Sequence, residues 1–419
     1  MKNIKKIINI GLILVLGIIL GFTLIVLSYL LPTNKIKENV EESIYTFYKE
    51  KEYYAIIDRY PNTQLDNFTD AIMISNAMYD GNENVIDKAM KVYRNSTLEG
   101  GPAEQLVKYF REKNIEWGTT TYSHYWHGYL VLLKPALLFF NYPDIKAINQ
   151  IIQIFLIVWI CYLLVKRNYK EIILPFLTAI LSISPGIIAL SMQFSTVMYI
   201  TLTAIIVMLL FHEKLKNKYI YFFLILGMIT SFMDFLTCPI LTLGMPMILL
   251  VILNKNDWKK DIKDIIILSI IWGIGYLGMW ASKWIISSIL LRENLISNAL
   301  SKILERTSDK NIHGTFTKID VLKINLEMII TVPNVLMNIL NFIYIIYKSI
   351  KAKIWNRKKQ YLKIIPFCII AVMPFAWYIL ASNHSMIHYW FTYRSLAVTI
   401  FAMLSGLTVV LLKNEMEKQ

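Results

Sequence analysis

Long apolar runs separated by short polar connectors dominate the chain. The first run covers residues 7–31, and no small-residue cleavage pattern follows it, so we interpret it as an uncleaved first span. The later runs of spanning length centre on residues 145–165, 171–190, 194–211, 218–235, 238–254, 264–284, 325–347, 361–381 and 390–412. The pattern predicts an all-α polytopic membrane protein with about ten transmembrane helices.

Two polar stretches divide this pattern and set the expected organisation. We expect a first transmembrane helix at 1–31, an external loop domain with surface helices at 32–144, transmembrane helices 2–7 at 145–285, a second external segment at 286–323, and transmembrane helices 8–10 with a cytoplasmic tail at 324–419. The large loop after the first helix is the main feature of this plan.

One apolar stretch, residues 127–140, is too short to count as a span. It has about 14 residues, against the roughly 20 needed to cross a bilayer, and Lys134 and Pro135 stand in its middle. Counting it as a span would also move every later basic loop to the outside. We therefore expect a helix that lies on the outer surface of the membrane.

The composition and the charges agree with this topology. Hydrophobic residues make up 56% of the chain and charged residues 17%. About half of the 43 Lys and Arg residues fall in short loops or tails, at 1–6, 166–170, 214–218, 255–263, 348–363 and 413–418. This positive-inside pattern places both termini in the cytoplasm. The net charge is +14, and the topology in the lipid bilayer explains about half of the basic residues, so nucleic acid is excluded as a partner.

The first chemical motif is an acidic pair at the start of a predicted helix in the external loop. Helical spacing of apolar residues from Phe68 to Tyr79 predicts this helix, and Gly81 ends it. Asp66 and Asp70 are four residues apart, so they share a helical face. Such a pair could deprotonate a hydroxyl or hold a divalent cation, although two carboxylates are too few to define a metal site. Alternatively, Asp66 caps the helix and Asp70 is a solvated surface acid.

A second motif, of histidines and aromatic residues, precedes the expected surface helix. It contains His124, Tyr125, Trp126 and His127, and groups of this kind bind sugars and phosphates. An interfacial belt of Trp and Tyr would explain the aromatic residues but not the histidines. The H-x-x-H spacing has no further ligand beside it, so we predict no zinc site.

A third motif occupies the short connector before the last span. His384, His388, Tyr389 and Arg394 lie in it or directly after it. A guanidinium is well suited to a phosphate or pyrophosphate, and its aromatic and imidazole neighbours favour that role. The alternative is an arginine that snorkels to the membrane surface.

Two charged residues lie at the outer ends of predicted spans. Lys283 stands between Trp280 and Trp284, where it either belongs to an aromatic belt or meets a lipid phosphate. Asp234 ends another span, and an acid near the membrane is a site candidate because its burial is costly.

The candidate residues converge on the outer side of the membrane. Every histidine except His212 falls in a predicted external segment, and His313 belongs to the second of these segments. A transporter would place its charged groups near mid-depth, where no predicted span carries one.

The chain resembles the GT-C superfamily of integral-membrane glycosyltransferases. The resemblance rests on a first span followed by a large external loop, on the acidic motif LDNFTD at 65–70, and on WHGYLVLLKPALLFF at 126–140, which leads into the next span. Members of this superfamily transfer sugars outside the cytoplasm, typically from polyprenyl-phosphate donors. The acidic motif differs from the D-E or D-D pair of better-known branches, so the resemblance leaves open which of Asp66 and Asp70 acts.

The resemblance implies a polyprenyl-phosphate sugar donor and a glycan or lipid-linked acceptor. Asp66 or Asp70 would accept the proton of the acceptor hydroxyl during an inverting attack, while Arg394 and Lys283 hold the phosphate. Three other functions stay open: a polysaccharide polymerase or ligase of the envelope, a transporter or flippase, and a non-catalytic binding subunit.

Overall fold

The computed structural model of the chain describes residues 2–234, 236–311, 314–351 and 358–417. Within these ranges the fold is all-α, and 77% of it is helical. The α-helices are α1 (Lys2–Ser28), α2 (Thr33–Glu41), α3 (Ile44–Glu50), α4 (Asn67–Met78), α5 (Val85–Lys91), α6 (Pro102–Arg111), α7 (Leu130–Leu137), α8 (Tyr142–Lys166), α9 (Ile173–Leu181), α10 (Pro185–Leu190), α11 (Met192–Leu215), α12 (Tyr219–Met233), α13 (Ile240–Asn254), α14 (Trp258–Leu291), α15 (Leu295–Thr307), α16 (Lys318–Ile329), α17 (Val332–Lys351), α18 (Ile365–Leu380), α19 (Ser382–Ile387), α20 (Tyr389–Thr392) and α21 (Ala397–Glu417). Two antiparallel hairpins pair β1 (Tyr93–Ser96) with β2 (Gly118–Thr121) and β3 (Lys310–Asn311) with β4 (Gly314–Thr315). His313 lies outside the described residues.

Six helices of the described chain are long and apolar enough to cross a membrane on their own. They are α1, α8, α11, α14, Tyr361–Leu380, which includes α18, and Tyr389–Leu411, which includes α20 and most of α21. α16 and α17 form a pair bent by 81°, which would count as a seventh. The prediction of a helical membrane protein is confirmed.

Three of the predicted spans are shorter or broken. α12 and α13 have 15 residues each. The apolar run at 171–190 divides into α9 and α10 just before Pro185, which has no N–H to donate and disfavours helical geometry in the residue before it. Accordingly, Ser184 adopts a left-handed conformation with φ 57°. Helix length alone thus supports six or seven spans, which is fewer than the ten predicted.

Residues 29–141, which we call the inserted segment, connect α1 to α8 as a set of short helices around α4. α4 contacts α2, α6 and α7. α7 has 8 residues, so it is only about 12 Å long and cannot cross a membrane. This agrees with leaving residues 127–140 out of the predicted spans.

The inserted segment and the long helices share an apolar core. Trp126 and Leu130 of the segment belong to the same buried cluster as Ile25 of α1, Leu224 of α12 and Met279 of α14. The segment is therefore packed onto the helical bundle by the burial of apolar surface.

α12 and α14 approach closely at two glycines. A Cβ atom on Gly227 would lie 2.1 Å from the carbonyl oxygen of Trp272, and one on Gly275 would lie 2.2 Å from that of Leu224. Only glycine allows this contact between the two helices. The close contact fixes the position of α14 relative to α12.

Candidate functional site

Asp66 caps the N-terminus of α4. Its carboxylate accepts hydrogen bonds from the backbone N–H of Thr69 at 3.0 Å and from the Thr69 hydroxyl at 3.1 Å, as the capping interpretation predicts. Because α4 begins at Asn67, Asp66 lies outside the helix and does not share a helical face with Asp70. The side chain is only 1% exposed to solvent, yet it lines a cavity.

Asp70 is fully buried and caps a different helix. Its carboxylate accepts hydrogen bonds from the backbone N–H groups of Met192 at 2.9 Å and Gln193 at 3.0 Å, at the start of α11, and from the Tyr142 hydroxyl at 2.7 Å. Burial raises the pKa of Asp70 to about 6, although these hydrogen bonds oppose the shift. The interpretation of Asp70 as a solvated surface acid is therefore wrong.

A cavity of about 170 Å³, which we call the carboxylate cavity, joins Asp66 to His384 and His388. Its lining residues are Tyr53, Asp66, Phe68, Thr69, Ile72, Tyr122, Gln193, Arg306, His384, His388, Trp390 and Phe391. A cavity of roughly 150 Å³ is known to hold benzene, so this one has room for one six-membered ring. Asp66 of the first predicted motif thus lies at the same cavity as His384 and His388 of the third.

Two histidines hold Arg306 at the wall of this cavity. Nη1 of Arg306 lies 3.3 Å from Nδ1 of His384 and 3.2 Å from Nε2 of His388. Since a guanidinium only donates, both imidazole nitrogens accept. Nε2 of His384 lies 2.8 Å from the carbonyl oxygen of Leu236, so it carries the proton and donates.

Both histidines are neutral at physiological pH. Burial, followed by the charge of Arg306, lowers the pKa of His388 to about 3. Burial, followed by the charges of His388 and Arg306, holds the pKa of His384 well below its usual range. Neutral rings leave Arg306 as a fixed cation that faces the cavity.

Asp66 is the titratable acid of the same cavity. Burial is the main cause that raises its pKa to about 7, and the charge of Asp70 adds to the shift. The hydrogen bonds from Thr69 and the charge of Arg394 act in the opposite direction. A carboxyl with a pKa near neutrality is suited to general base catalysis.

A second cavity of about 90 Å³, which we call the tryptophan cavity, adjoins the first. Its lining residues are Tyr122, His124, Tyr125, Trp280, Trp284, Ala299, Lys302 and Arg306. Tyr122 and Arg306 line both cavities. The predicted residues His124 and Tyr125 therefore lie beside the carboxylate cavity and not inside it.

Trp126 and His127 belong to the packing of the inserted segment. The Trp126 indole donates a hydrogen bond of 2.6 Å to the carbonyl oxygen of Met279, and it is fully buried. His127 is 1% exposed, and its Nε2 lies 2.6 Å from the carbonyl oxygen of Tyr122. Burial lowers the pKa of His127 to about 3. The structure supports a structural role for both residues.

Lys283 is fully buried and holds the end of α5. Its Nζ donates hydrogen bonds to the carbonyl oxygens of Ala89 at 3.1 Å and Met90 at 2.9 Å. It also lies 5.4 Å from the centre of the Trp126 ring. The contacts are those of a helix C-terminal cap, which satisfies carbonyl groups that the helix cannot.

Arg394 is fully buried between aromatic rings. Its guanidinium lies 4.1 Å from the centre of the Phe194 ring and 5.1 Å from that of Tyr393, and Nη1 donates to the carbonyl oxygen of Trp390 at 3.0 Å. Its charge stabilises ionised Asp66. A buried guanidinium in this position does not snorkel to a membrane surface.

Asp234 and Tyr389 do not line either cavity. The Asp234 carboxylate accepts a hydrogen bond of 2.9 Å from the backbone N–H of Thr237, in the turn after α12. Tyr389 is half-buried, and its ring makes an edge contact with Trp390 at 5.8 Å between centroids. Neither is among the described residues that line the two cavities.

The sequence prediction missed the principal cation, Arg306. Arg306 and Lys302 are four residues apart in α15, so both lie on one helical face. That spacing, in a segment already predicted to be external, was the available signal. The contact with His384 and His388 joins segments about 80 residues apart, which local patterns do not show.

A larger apolar cavity of about 590 Å³ lies on the other side of α4 and the start of α11. Met73 and Met192 line it, while Ile72 and Gln193, their neighbours in sequence, line the carboxylate cavity. α11 and α12 supply most of its walls, and α1, α7 and α8 supply most of the rest. The cavity has the size and the polarity of a site for a long hydrocarbon group.

The described residues contain no group of three or more His, Cys, Asp or Glu side chains placed to hold a metal ion. No protein-family model, curated protein or solved structure matches the chain.

Proposed function

We propose that the chain is a membrane glycosyltransferase that moves a sugar from a polyprenyl-phosphate-linked donor to a cell-envelope acceptor. The observation that carries the proposal is that Asp66, with a pKa of about 7, and the fixed cation Arg306 line the same ring-sized cavity. A transferase of this kind needs a base for the acceptor and a cation for the phosphate that leaves.

Asp66 is the proposed general base. The acceptor hydroxyl oxygen attacks the anomeric carbon, and its proton passes to the Asp66 carboxylate. The bond from the anomeric carbon to the phosphate oxygen breaks, and its electron pair leaves with the polyprenyl phosphate. The attack comes from the opposite face, so the configuration at the anomeric carbon inverts.

Arg306 takes the phosphate-binding role in this proposal. It lines the carboxylate cavity, whereas Lys283 is engaged with the carbonyl groups of α5. Arg394 acts indirectly, because its charge favours the ionised form of Asp66. Asp70 acts as a positioning residue, since it ties α4 to the start of α11.

The apolar cavity is the proposed site of the donor's hydrocarbon tail. The apolar cavity lies next to the carboxylate cavity, on the other side of α4. This arrangement suits a donor with an apolar tail and a charged head. A polyprenyl phosphate has this character, and burial of its tail supplies binding free energy in proportion to the apolar area covered.

The proposal includes a GT-C-like topology with ten crossings, both termini in the cytoplasm, and the inserted segment outside. The α9–α10 pair, α12 and α13 would supply the crossings beyond the seven helices or helix pairs of sufficient length. The distribution of Lys and Arg supports this orientation.

Deletion of the gene, followed by analysis of the cell-surface glycopolymers, tests the proposal. We expect the loss of one sugar substituent, its return with the wild-type gene, and no return with Asp66→Asn. Asp58→Asn is the matched control, because Asp58 is an exposed acid of the inserted segment. Unchanged surface glycans in the deletion strain would contradict the proposal.

The same experiment separates an envelope polymerase or ligase from a transferase that adds single sugars. The polymerase or ligase uses the same class of donor, and the shared cavity between Asp66 and Arg306 would serve it equally. Loss of whole polymer chains would favour the polymerase or ligase, and loss of one substituent on intact chains would favour the transferase.

A further inference from the structure

The tryptophan cavity carries positive charge without an acidic residue in its lining. Lys302 and Arg306 line it, and among the described residues no Asp or Glu does. Glu305 pairs with Lys302 at 2.6 Å, but both side chains of this pair are about half-exposed, so water screens it. An anionic group in the cavity would meet two cations, one of them fixed by histidines.

The aromatic wall of this cavity is held in one orientation. The indole N–H groups of Trp280 and Trp284 both donate to the carbonyl oxygen of His124, at 2.9 and 3.0 Å. Tyr125 stacks on Trp280 with 5.7 Å between ring centroids. Because their polar atoms are engaged, the rings offer apolar surface, which suits the C–H face of a sugar.

His124 supplies hydrogen-bonding capacity that the described chain does not use. Neither of its ring nitrogens has a hydrogen-bond partner among the described residues. Burial, followed by the charges of Lys302 and Arg306, lowers its pKa, so the ring is neutral at physiological pH. A neutral imidazole offers one donor and one acceptor, which matches a sugar hydroxyl.

We infer that the tryptophan cavity is the acceptor subsite and that it selects a sugar bearing a carboxylate or a phosphate group. The inference rests on the proposed function, since Arg306 and Tyr122 connect this cavity to the carboxylate cavity where the base lies. The volume of about 90 Å³ is smaller than one ring requires. The cavity therefore holds the anionic substituent and one edge of the ring. The attacking hydroxyl lies outside it, on the side of Asp66.

Binding of simple glycosides to the purified full chain, without a donor, tests this inference. The probes are methyl glucoside, methyl glucuronide and methyl glucoside 6-phosphate, with affinity measured by calorimetry. We expect at least one anionic probe to bind about tenfold more tightly than the neutral probe. The better of the two anionic probes identifies the substituent as carboxylate or phosphate.

Two variants test whether the preference for the anionic probe arises in the tryptophan cavity. Lys302→Gln should lower the preference for the anionic probe about threefold, because it removes one exposed cation and leaves Arg306 in place. Lys323→Gln is the control, since Lys323 is an exposed lysine on α16 outside the cavity, and it should keep the preference. Equal affinity of wild type for neutral and anionic probes, or a full preference in Lys302→Gln, would overturn the inference.

Asp66→Asn separates this inference from the proposed function. The variant should lose sugar transfer in cells and keep the anionic preference, because Asp66 does not line the tryptophan cavity. Transfer that survives in Asp66→Asn would refute the catalytic proposal while the binding results stand. Conversely, loss of transfer together with no anionic preference in wild type would refute only the subsite.

Discussion

Nη1 of Arg306 lies 3.3 Å from Nδ1 of His384, and the same nitrogen is 3.2 Å from Nε2 of His388. One guanidinium nitrogen is thus shared by two neutral imidazoles from α19 and the residue after it. The pair gives the arginine a defined position, and no carboxylate of the described residues forms an ion pair that would neutralise its charge. A phosphate that enters the carboxylate cavity meets a cation whose orientation is already set.

Replacement of His388 by Phe should loosen Arg306 and lower the transfer rate by roughly tenfold or more. The ring packing against Phe391 persists, but one of the two acceptors is lost. Transfer to a defined acceptor in membranes, with variant amounts matched by immunoblot, measures the effect. Tyr389→Phe is the control on the same connector, and a rate equal to that control would contradict the positioning role.

Asp66→Asn should reduce activity, whereas Asp70→Asn should reduce stability. Asp66→Asn removes the base and should lower transfer by about 10²–10⁴-fold with little change in thermal stability. Asp70→Asn places an amide donor against the N–H groups of Met192 and Gln193. It should reduce the free energy of unfolding by about 2 kcal/mol or more, with activity per folded molecule largely kept.

Thermal unfolding in detergent and transfer assays on the same preparations distinguish the two carboxylates. If Asp70→Asn melted like wild type and lost all transfer, the roles assigned to Asp66 and Asp70 would have to be exchanged.

Transfer should depend on pH through Asp66. The base acts in its ionised form, so the rate should fall as the pH drops below the Asp66 pKa of about 7. His388, with a pKa of about 3, stays neutral across this range and does not contribute. Repeating the profile with Asp70→Asn excludes the other buried acid, whose pKa is about 6. A flat profile between pH 5 and 8 would argue against Asp66 as the base.

Lys283→Met should destabilise the protein without affecting its chemistry. The substitution leaves the carbonyl oxygens of Ala89 and Met90 without their buried donor, which costs about 1–3 kcal/mol. The donor KM should stay unchanged in preparations matched for folded protein. A large rise in KM at unchanged stability would restore Lys283 as a phosphate ligand.

Thr203→Phe should interfere with the donor tail. Thr203 lines the apolar cavity and is exposed, so a larger side chain occupies the cavity without disturbing the core. We expect a higher KM for a long-chain donor and little change for a short-chain analogue. Val158→Phe, on the exposed face of α8 and outside this cavity, is the control. Equal effects on both donors would place the tail elsewhere.

Hydropathy predicted the helical membrane class because apolar runs of spanning length are a local property of the sequence. It overcounted intact helices where a proline breaks the pattern, as Pro185 does between α9 and α10. The capping role of Asp66 was also predictable, since a cap is defined by residues within one turn.

The carboxylate cavity was predictable only in part. The sequence motifs identified Asp66, His384 and His388 of this cavity, because each belongs to a short stretch that concentrates acidic residues or histidines. The motifs assigned phosphate binding to Lys283 and Arg394. The sequence does not show that backbone carbonyls already surround Lys283 and aromatic rings surround Arg394. Arg306 was missed because its partners come from a distant part of the chain.

The hydrogen bonds from Met192 and Gln193 to Asp70 limit how far this protein can be shortened. α4, the helix that the proposed base caps, is anchored through Asp70 to backbone groups of a helix long enough to span the membrane. A soluble fragment made from the inserted segment would lose that anchor and half of the cavity wall. Activity should therefore be inseparable from the long apolar helices, and reconstitution will require the whole chain.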